Sequence, residues 1–170
     1  NSVRNITAHL LEKGCTLPGF MGDIGYAQSN RERYEGFCQA LTDAGKKVDS
    51  SLCLTTPLGI DTYREEIDTF LSSLSRMPDA FVCASDYVAC ILMQLLEKRG
   101  LRVPEDVAVS GFDNNTEDLL AEHLTTVQVF NEELGARLAL QILYRIKYPN
   151  TPHEITYLGT NVLYRDSTGD

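Results

Sequence analysis

The stretch PDAFVCASDYVACILMQLLEKRGLRVPEDVAVSGFDN, residues 78–114, carries the signals of a strand, a helix and a second strand in succession. Residues 81–84 form a short apolar run, which is typical of a strand buried on both faces. Ser85 offers a cap to a helix that Gly100 ends, and Val107 opens the second strand. The helix has apolar residues at the spacing of one buried face, namely Val88, Ile91, Leu92, Leu95 and Leu96. The stretch therefore predicts a βαβ unit with a parallel sheet and a right-handed crossover.

Two aspartates of this unit lie where its strands end. Asp86 follows the first strand and Asp113 follows the second. Ligands of parallel α/β sheets bind beyond the carboxyl ends of the strands, so both residues are candidates for a small-molecule site. A carboxylate can accept hydrogen bonds from two neighbouring hydroxyls, which a sugar ring offers. The alternatives are an Asx-type turn or helix cap for Asp113 and, for Asp86, the favourable interaction of an acid with a helix N-terminus.

A helix earlier in the chain contributes a candidate cation. Ser29 opens this helix and Glu32 completes a capping box, so Ser29 is interpreted as a cap first and a ligand contact second. Arg33 lies in the first turn, where side chains lean toward the helix N-terminus. If the helix follows a strand at residues 17–21, Arg33 points into the same crevice, and its guanidinium can hold hydroxyls or a carboxylate. The alternative is a surface arginine paired with an acidic residue.

The rest of the chain alternates between helix and strand signals, so the predicted fold class is α/β with a doubly wound parallel sheet. Residues 115–123 are polar and predict a loop with a short helix. The other helices are expected at residues 1–14, from Ser29 to Gly45, from Asp61 onward and, capped by Asn131, through Ile146. The other strands are expected at residues 17–21, 47–54 and 155–164, and residues 124–129 are expected to form a strand or a crossover segment.

Composition excludes several classes of protein. The net charge of −9 argues against a nucleic-acid-binding face on these 170 residues. No apolar run approaches the ~20 residues that span a bilayer, and no secretory signal opens the chain. The five cysteines are irregularly spaced, so free thiols in a reducing cytoplasm are favoured over disulfides or a zinc site, and no metal or cofactor is expected. The motifs of serine hydrolases, P-loop proteins and zinc peptidases are absent, and nothing pairs two carboxylates for glycoside hydrolysis, so no enzyme is predicted.

Several motifs resemble those of LacI/GalR-type bacterial transcriptional regulators. SNRERYEGF, residues 29–37, is similar to that family's S-x-x-x-R-x-x-G-[FYW] segment. PDAFVCASD, residues 78–86, and LRVPEDVAVSGFDN, residues 101–114, resemble its two strand-and-turn signatures. Its closing motifs have counterparts in LTTV at 124–127, ELGA at 133–136 and RDST at 165–168. The order and spacing of these motifs resemble the family's effector-binding core, which has the periplasmic-binding-protein type I fold.

The resemblance implies a fragment that covers about the second half of a regulator, with the DNA-binding head outside this chain. Residues 17–123 and 152–165 would form the carboxyl-terminal subdomain. Residues 1–16 and 124–151 would be pieces of the amino-terminal subdomain. On this view the first helix and the helix from Asn131 pack apart from the parallel sheet.

The resemblance also implies a binding site and its ligand. Arg33 and Asp113 match the family's ligand-binding arginine and strand-end aspartate, and the turn at Ser85 lies beside the cleft. Ala27 lacks the charge that purine-responsive members have, and Val129 lacks a polar group that some members place there. The expected effector is therefore a sugar or a sugar derivative.

The implied function is a binding switch without bond chemistry. The core would form a homodimer and would reach operator DNA only through the missing head, with no membrane partner. The alternative is a secreted solute-binding protein of the same fold that serves a transporter or a chemoreceptor. The unpaired cysteines and the V-P-E-D, G-F-D and R-D-S-T motifs favour the regulator.

Overall fold

The computed structural model describes residues 1–59, 61–114 and 119–170, which form an α/β fold. The helices are α1 (Ser2–Glu12), α2 (Gln28–Asp43), α3 (Tyr63–Ser73), α4 (Asp86–Lys98) and α5 (Asn131–Lys147). The strands are β1 (Pro18–Met21), β2 (Cys53–Leu54), β3 (Ala80–Cys83), β4 (Ala108–Ser110), β5 (Thr126–Gln128) and β6 (Asn161–Leu163). Short 3-10 turns lie at Ser50–Leu52, Leu119–Glu122 and Asp166–Thr168.

The central sheet is parallel, with the strand order β2-β1-β3-β4. Val82 in β3 pairs with Phe20 of β1 on one side and with Ser110 of β4 on the other. The carboxyl ends of these strands therefore lie along one edge of the sheet, as the βαβ unit predicts.

β5 continues the sheet beyond β4. The backbone N–H of Gly111 donates to the carbonyl of Thr125 at 2.8 Å, and the N–H of Asp113 donates to the carbonyl of Val127 at 3.1 Å. β6 pairs with β5 in the antiparallel direction. The chain leaves the sheet along β5, forms α5, and returns along β6.

Helices cover both faces of the sheet, so the predicted doubly wound architecture is confirmed. α3 and α4 pack on one face, where Ile67 and Leu92 are completely buried with Phe81. α2 packs on the other face, where Phe37 is buried with Val82. Successive residues of a strand point to opposite faces, and both faces here are covered. This explains why residues 80–83 form an unbroken apolar run rather than an alternating one.

The prediction that the first helix packs apart from the sheet is wrong. Val3, Ile6 and Leu10 of α1 are buried in the same core as Phe20 and Phe37. These apolar residues follow the three- and four-residue spacing of a single helix face, and the sheet beside α2 covers that face. α1 therefore belongs to the layer formed by α2 and not to a separate body.

The boundary predicted before Leu124 also lies too early. Leu124 is buried in the core beneath α4, and Val127 is buried in the core beneath α1 and α2. β5 therefore belongs to the body of the parallel sheet, and the change of environment comes after Gln128.

α5 differs from the other helices because none of its residues is buried. Its apolar stripe is exposed, with Leu138 at 60 % and Ile146 at 73 % of full exposure. A stripe of this kind packs against another layer in a folded domain. The described part of the chain contains no layer that covers it.

Two helix caps differ from the prediction. α2 begins at Gln28, so Ser29 lies inside the helix, and no side chain caps its N-terminus. The side-chain amide of Asn30 donates to the carbonyl of Asp23 at 2.9 Å, which places the start of the helix earlier than the capping box indicates. α3 begins after Thr62 and not after Asp61.

Other helix ends are closer to the prediction. Ser85 caps α4, and its hydroxyl accepts from the N–H of Val88 at 3.3 Å, as predicted. Asn131 is the first residue of α5 rather than its cap, because Phe130 holds the N-cap position. In the loop predicted at 115–123, a 3-10 turn occupies Leu119–Glu122, and residues 115–118 lie outside the described residues.

Two strands are shorter than predicted. The strand expected at 47–54 is limited to Cys53–Leu54, and the strand expected at 155–164 is limited to Asn161–Leu163. β2 and β6 are the outermost strands of their sheets, so each has a neighbour on one side only. None of the described helices has the length and apolar character needed to cross a membrane.

Candidate ligand-binding site

The structure brings Arg33 and Asp113 together at the carboxyl edge of the sheet. Nη2 of Arg33 lies 3.3 Å from Oδ1 of Asp113, although the two residues are 80 positions apart. α2 supplies Arg33 from its second turn, and the backbone after β4 supplies Asp113. The two residues therefore meet at one place, as the sequence predicted. The alternative prediction for Arg33, an ion pair with an acidic residue, fits the same contact, because Asp113 is that acid. The role of the two residues in ligand binding stays a prediction.

Other contacts fix the guanidinium of Arg33 in place. Nη1 donates to the carbonyl of Ala84 at 2.5 Å and to Oδ1 of Asn30 at 3.5 Å. The ring of Phe112 lies beneath the guanidinium, with its centroid 3.6 Å from Cζ, which is a cation–π contact. Arg33 therefore connects the ends of β3 and β4, and its side chain keeps 16 % of its surface exposed.

Burial dominates the electrostatics of this pair. It lowers the pKa of Arg33, and the attraction of Asp113 only partly opposes that change. Burial likewise raises the pKa of Asp113, against the opposing effect of Arg33. Each charged group has thus lost more hydration than its partner replaces. Additional hydrogen-bonding groups at this position, such as ligand hydroxyls, could accept from Arg33 and donate to Asp113 and so replace part of the lost hydration.

Asp113 has an uncommon backbone conformation, with φ at +107°, and Asn114 follows at +53°. A non-glycine residue in this region is strained and depends on its surroundings to hold it there. The Asp113 side chain is 43 % exposed, and among the described residues no hydrogen bond is made to its Oδ2. Its carboxylate is therefore partly exposed beside Arg33, which lines the cleft.

Asp86 lies beneath this loop and not in the cleft. Its side chain is buried, with the residue 2 % exposed, and Oδ1 accepts from the hydroxyl of Thr126 at 2.5 Å. Its N–H donates to the carbonyl of Phe112 at 2.8 Å. Asp86 thus joins the ends of β3, β4 and β5, and its burial supports a structural role rather than the predicted ligand contact.

A cleft of about 310 Å³ opens beside Arg33. Its volume is at the lower end of the range for small-molecule sites, ~300–1,000 Å³. Ser29 and Phe112 contribute to its wall, so Ser29 is near the site although it is not a helix cap. Ser85 is partly exposed in the turn that follows β3, and the carbonyl of its neighbour Ala84 holds Arg33.

Some residues of the cleft were not predicted from the sequence. Asn1, Ser2, Tyr157 and Thr160 also line it, together with Glu32. The hydroxyls of Ser2 and Thr160 lie 2.7 Å apart across 158 residues of sequence. They come from the start of α1 and from the segment before β6, and no local motif marks such a contact. Phe112 could have been identified, because an aromatic residue next to a strand-end aspartate is placed to form part of the same wall.

The arrangement is suited to binding a polar, ring-shaped molecule. Arg33 offers N–H donors, Asp113 offers acceptors, and Phe112 adds an aromatic ring beneath the guanidinium. A sugar presents the complementary set, since its hydroxyls both donate and accept and its ring carries an apolar face. Among the described residues, no group of three or more His, Cys, Asp or Glu side chains is arranged to hold a metal ion.

The chain is similar to proteins described as bacterial transcriptional regulators. Over 130 residues it is 35 % identical to the HTH-type transcriptional regulator DegA of Bacillus subtilis (strain 168), a match that covers 75 % of this chain and 38 % of that protein. It is 34 % identical over 170 residues to the HTH-type transcriptional regulator CelR of Thermobifida fusca, covering 96 % of this chain and 48 % of CelR. The chain thus spans about half the length of the curated relatives it matches, or less.

A solved structure supports the same relationship. The complex of the transcriptional regulator CelR with cellobiose has a TM-score of 0.86 against this chain, with 29 % sequence identity. The match covers 97 % of this chain and 50 % of that chain. The sequence family described as periplasmic binding protein-like domain matches residues 7–168. The chain therefore belongs to the periplasmic binding protein-like domain family, and its resemblance to LacI/GalR-type transcriptional regulators is confirmed.

Proposed function

We propose that this chain is the effector-binding core of a LacI/GalR-type transcriptional regulator and that its effector is a sugar or a sugar derivative. The observation that carries the proposal is the contact of Arg33 with both Asp113 and Phe112, beside a cleft that Arg33 and Phe112 line. The relationship to CelR, a regulator solved in complex with cellobiose, supports the same class of ligand.

The two charged groups would act as complementary hydrogen-bonding partners. Arg33 would donate to one ligand hydroxyl, and Asp113 would accept from its neighbour through Oδ2, to which no described residue donates. Since burial destabilises the charged form of both residues, the hydrogen bonds of a ligand would restore part of the lost hydration. The ligand is bound and released without chemical change.

The effector would act by binding one arrangement of two subdomains better than another. Only such a difference in affinity can shift the equilibrium, and the coupling in comparable systems is ~1–3 kcal/mol. In the proposed whole protein, a cytoplasmic homodimer, this shift changes how two DNA-reading heads fit an operator. We place α1 and the strands through β5 in the carboxyl-terminal subdomain, together with β6, and α5 in the amino-terminal subdomain.

The experiment is a calorimetric titration of the full-length protein with a panel of sugars that includes cellobiose, glucose, galactose and ribose. Replacing Arg33 or Asp113 by alanine should weaken the binding of the best ligand about five- to 150-fold, because each change leaves a desolvated hydroxyl without its partner. Arg31→Ala is the matched control, since Arg31 is an exposed arginine on the same helix. Wild-type affinity in both site variants, or the absence of binding by every sugar, would contradict the proposal.

A second measurement separates the effector core from DNA recognition. The isolated chain should not shift operator DNA at physiological salt, because its net charge of −9 offers no release of counterions from the phosphates. The full-length protein should bind its operator with an affinity that the same sugar changes. A mobility shift by the isolated chain would contradict the division of roles proposed for the two parts.

A further inference from the structure

Asn114, the residue after Asp113, is the meeting point of hydrogen bonds from two distant segments. Its side-chain Nδ2 donates to Oε1 of Gln128 at 2.6 Å. Its Oδ1 accepts from Nη2 of Arg165 at 2.9 Å. One amide thus uses its donor group on one segment and its acceptor group on the other. Its backbone is also held, because its N–H donates to the hydroxyl of Thr126 at 3.3 Å.

The partners of Asn114 are themselves firmly placed. Nη1 of Arg165 donates to the carbonyl of Ala121 at 2.7 Å and to that of Leu124 at 3.0 Å. The N–H of Arg165 donates to the hydroxyl of Thr125 at 2.7 Å. Nε2 of Gln128 donates to the carbonyl of Val129 at 2.9 Å, which fixes the direction of its amide. Movement of Asn114 would therefore disturb defined contacts on both segments.

These two segments are the places where the chain leaves the sheet body and returns to it. Gln128 is the last residue of β5, beyond which the chain runs to α5. Arg165 follows β6, along which the chain comes back. Any change in the position of α5 relative to the parallel sheet must be accommodated in these two crossover segments, residues 126–130 and 161–165.

We propose that Asn114 is a positioning residue that links ligand binding at Asp113 to the two crossover segments. The inference rests on the proposed function, because it takes Asp113 as a ligand contact. Asp113 and Asn114 are consecutive residues at positive φ, so a ligand that draws the Asp113 carboxylate into the cleft alters the orientation of the next peptide unit. Asn114 transmits that change to Gln128 and Arg165 together, through two hydrogen bonds of a single short side chain.

The test is hydrogen–deuterium exchange on the full-length protein, measured in peptides that cover residues 124–130 and 161–166. Asn114→Gly removes both hydrogen bonds and tolerates the left-handed backbone. Without any ligand, exchange in both peptides should rise about fivefold or more, while α4 is unchanged, since each lost hydrogen bond contributes about that factor. Exchange that stays at the wild-type rate in the two peptides would overturn the inference.

Asn114→Asp distinguishes positioning from a general structural role. The carboxylate still accepts from Arg165 but cannot donate to Gln128, so exchange should be restored at 161–166 and stay raised at 124–130. Asn5→Asp makes the same chemical change at an exposed position of α1 and serves as the control. Equal effects of Asn114→Asp on both peptides would overturn the proposal that Asn114 holds the two segments through separate hydrogen bonds, one to Gln128 and one from Arg165.

The ligand arm uses the sugar from the panel that binds the wild-type protein most tightly. This sugar should protect both peptides in the wild-type protein, whereas Asn114→Gly should show no added protection at a sugar concentration that saturates it in calorimetry. Added protection that persists in Asn114→Gly would overturn the inference and leave the proposed function standing. If no sugar of the panel binds, the proposed function fails, and the ligand-free comparison alone decides whether Asn114 holds the crossover segments.

Discussion

Gly111 offers the sharpest test of the packing beneath the ligand site. A Cβ atom at this position would lie 2.2 Å from Oδ1 of Asp86 and 2.9 Å from Cδ2 of Leu124. Neither neighbour can move away easily. The carboxylate of Asp86 is buried and is held by the hydroxyl of Thr126, and Leu124 is completely buried in the core. Gly111→Ala must therefore displace atoms that are fixed on both sides.

The magnitude follows from two contributions. Overpacking a close-packed interior costs about 1–3 kcal/mol. Displacing the carboxylate of Asp86 also weakens its charged hydrogen bond from Thr126, and such bonds contribute ~1.5–3 kcal/mol. Gly111→Ala is therefore expected to lower the free energy of unfolding by about 2.5–6 kcal/mol, a large part of the ~5–15 kcal/mol that stabilises a typical domain.

The assay is equilibrium unfolding in urea, followed by the near-ultraviolet circular dichroism of the tyrosines. Gly135→Ala is the matched control, because a Cβ at Gly135 in α5 meets nothing within 4 Å. Alanine is favoured over glycine in a helix by about 0.5–1 kcal/mol, so this control should be neutral or stabilising. If Gly111→Ala and Gly135→Ala unfold at the same urea concentration, the close approach of Asp86 to the end of the strand is refuted.

Three further results are expected. Ser110→Ala should leave the unfolding free energy unchanged or raise it by up to about 1 kcal/mol, because the buried hydroxyl has no partner among the described residues; a clear loss in urea unfolding would contradict this. Burial raises the pKa of Asp170, but hydrogen bonds, first among them that from Lys13, outweigh burial and hold the pKa at about 2. Asp170→Asn should therefore be less stable than the wild type at neutral pH. Thermal unfolding should show this difference disappear as the pH falls from about 4 to about 2, because the ionised carboxylate stabilises the folded protein and protonation removes that effect. Phe112→Leu should leave the fold intact but weaken sugar binding about two- to thirtyfold in calorimetry, because it removes the cation–π contact beneath Arg33, which contributes ~0.5–2 kcal/mol.

Local signals in the sequence predicted much of the sheet and the centre of the site. The apolar run at 81–84, the Ser85 cap and the stop at Gly100 each act within a few residues, and together they define the βαβ unit. The approach of Arg33 to Asp113 was also predictable. The first turn of a helix after one strand and the end of another parallel strand must lie at the same edge of the sheet.

Features that depend on contacts between distant segments could not be predicted in this way. Ser29 has the pattern of a helix cap, but α2 begins before it, at Gln28, and no side chain caps that end; the contact of Asn30 with the carbonyl of Asp23 is not visible in the local sequence. The periodicity of α1 indicates one apolar face but not the surface that covers it. Tyr157 and Asn1 enter the cleft from opposite ends of the chain, and no pattern of spacing relates them.

Because β5 and β6 pair in the antiparallel direction, the segment between them could be deleted and replaced by a short turn. Gln128 lies opposite Asn161 at the far end of this pair, so residues 129–160 form, in effect, one long excursion closed by a β-ladder. A two-residue turn such as Asn-Gly could join Gln128 directly to Asn161 and convert the pair into an ordinary hairpin. The shortened protein would keep both cores, the Arg33–Asp113 pair and the Asn114 contacts, and would lose the exposed apolar surface of α5. The shortened protein would lack Tyr157 and Thr160 of the cleft wall, so a comparison with the whole chain would show what the excursion adds to the pair of Arg33 and Asp113.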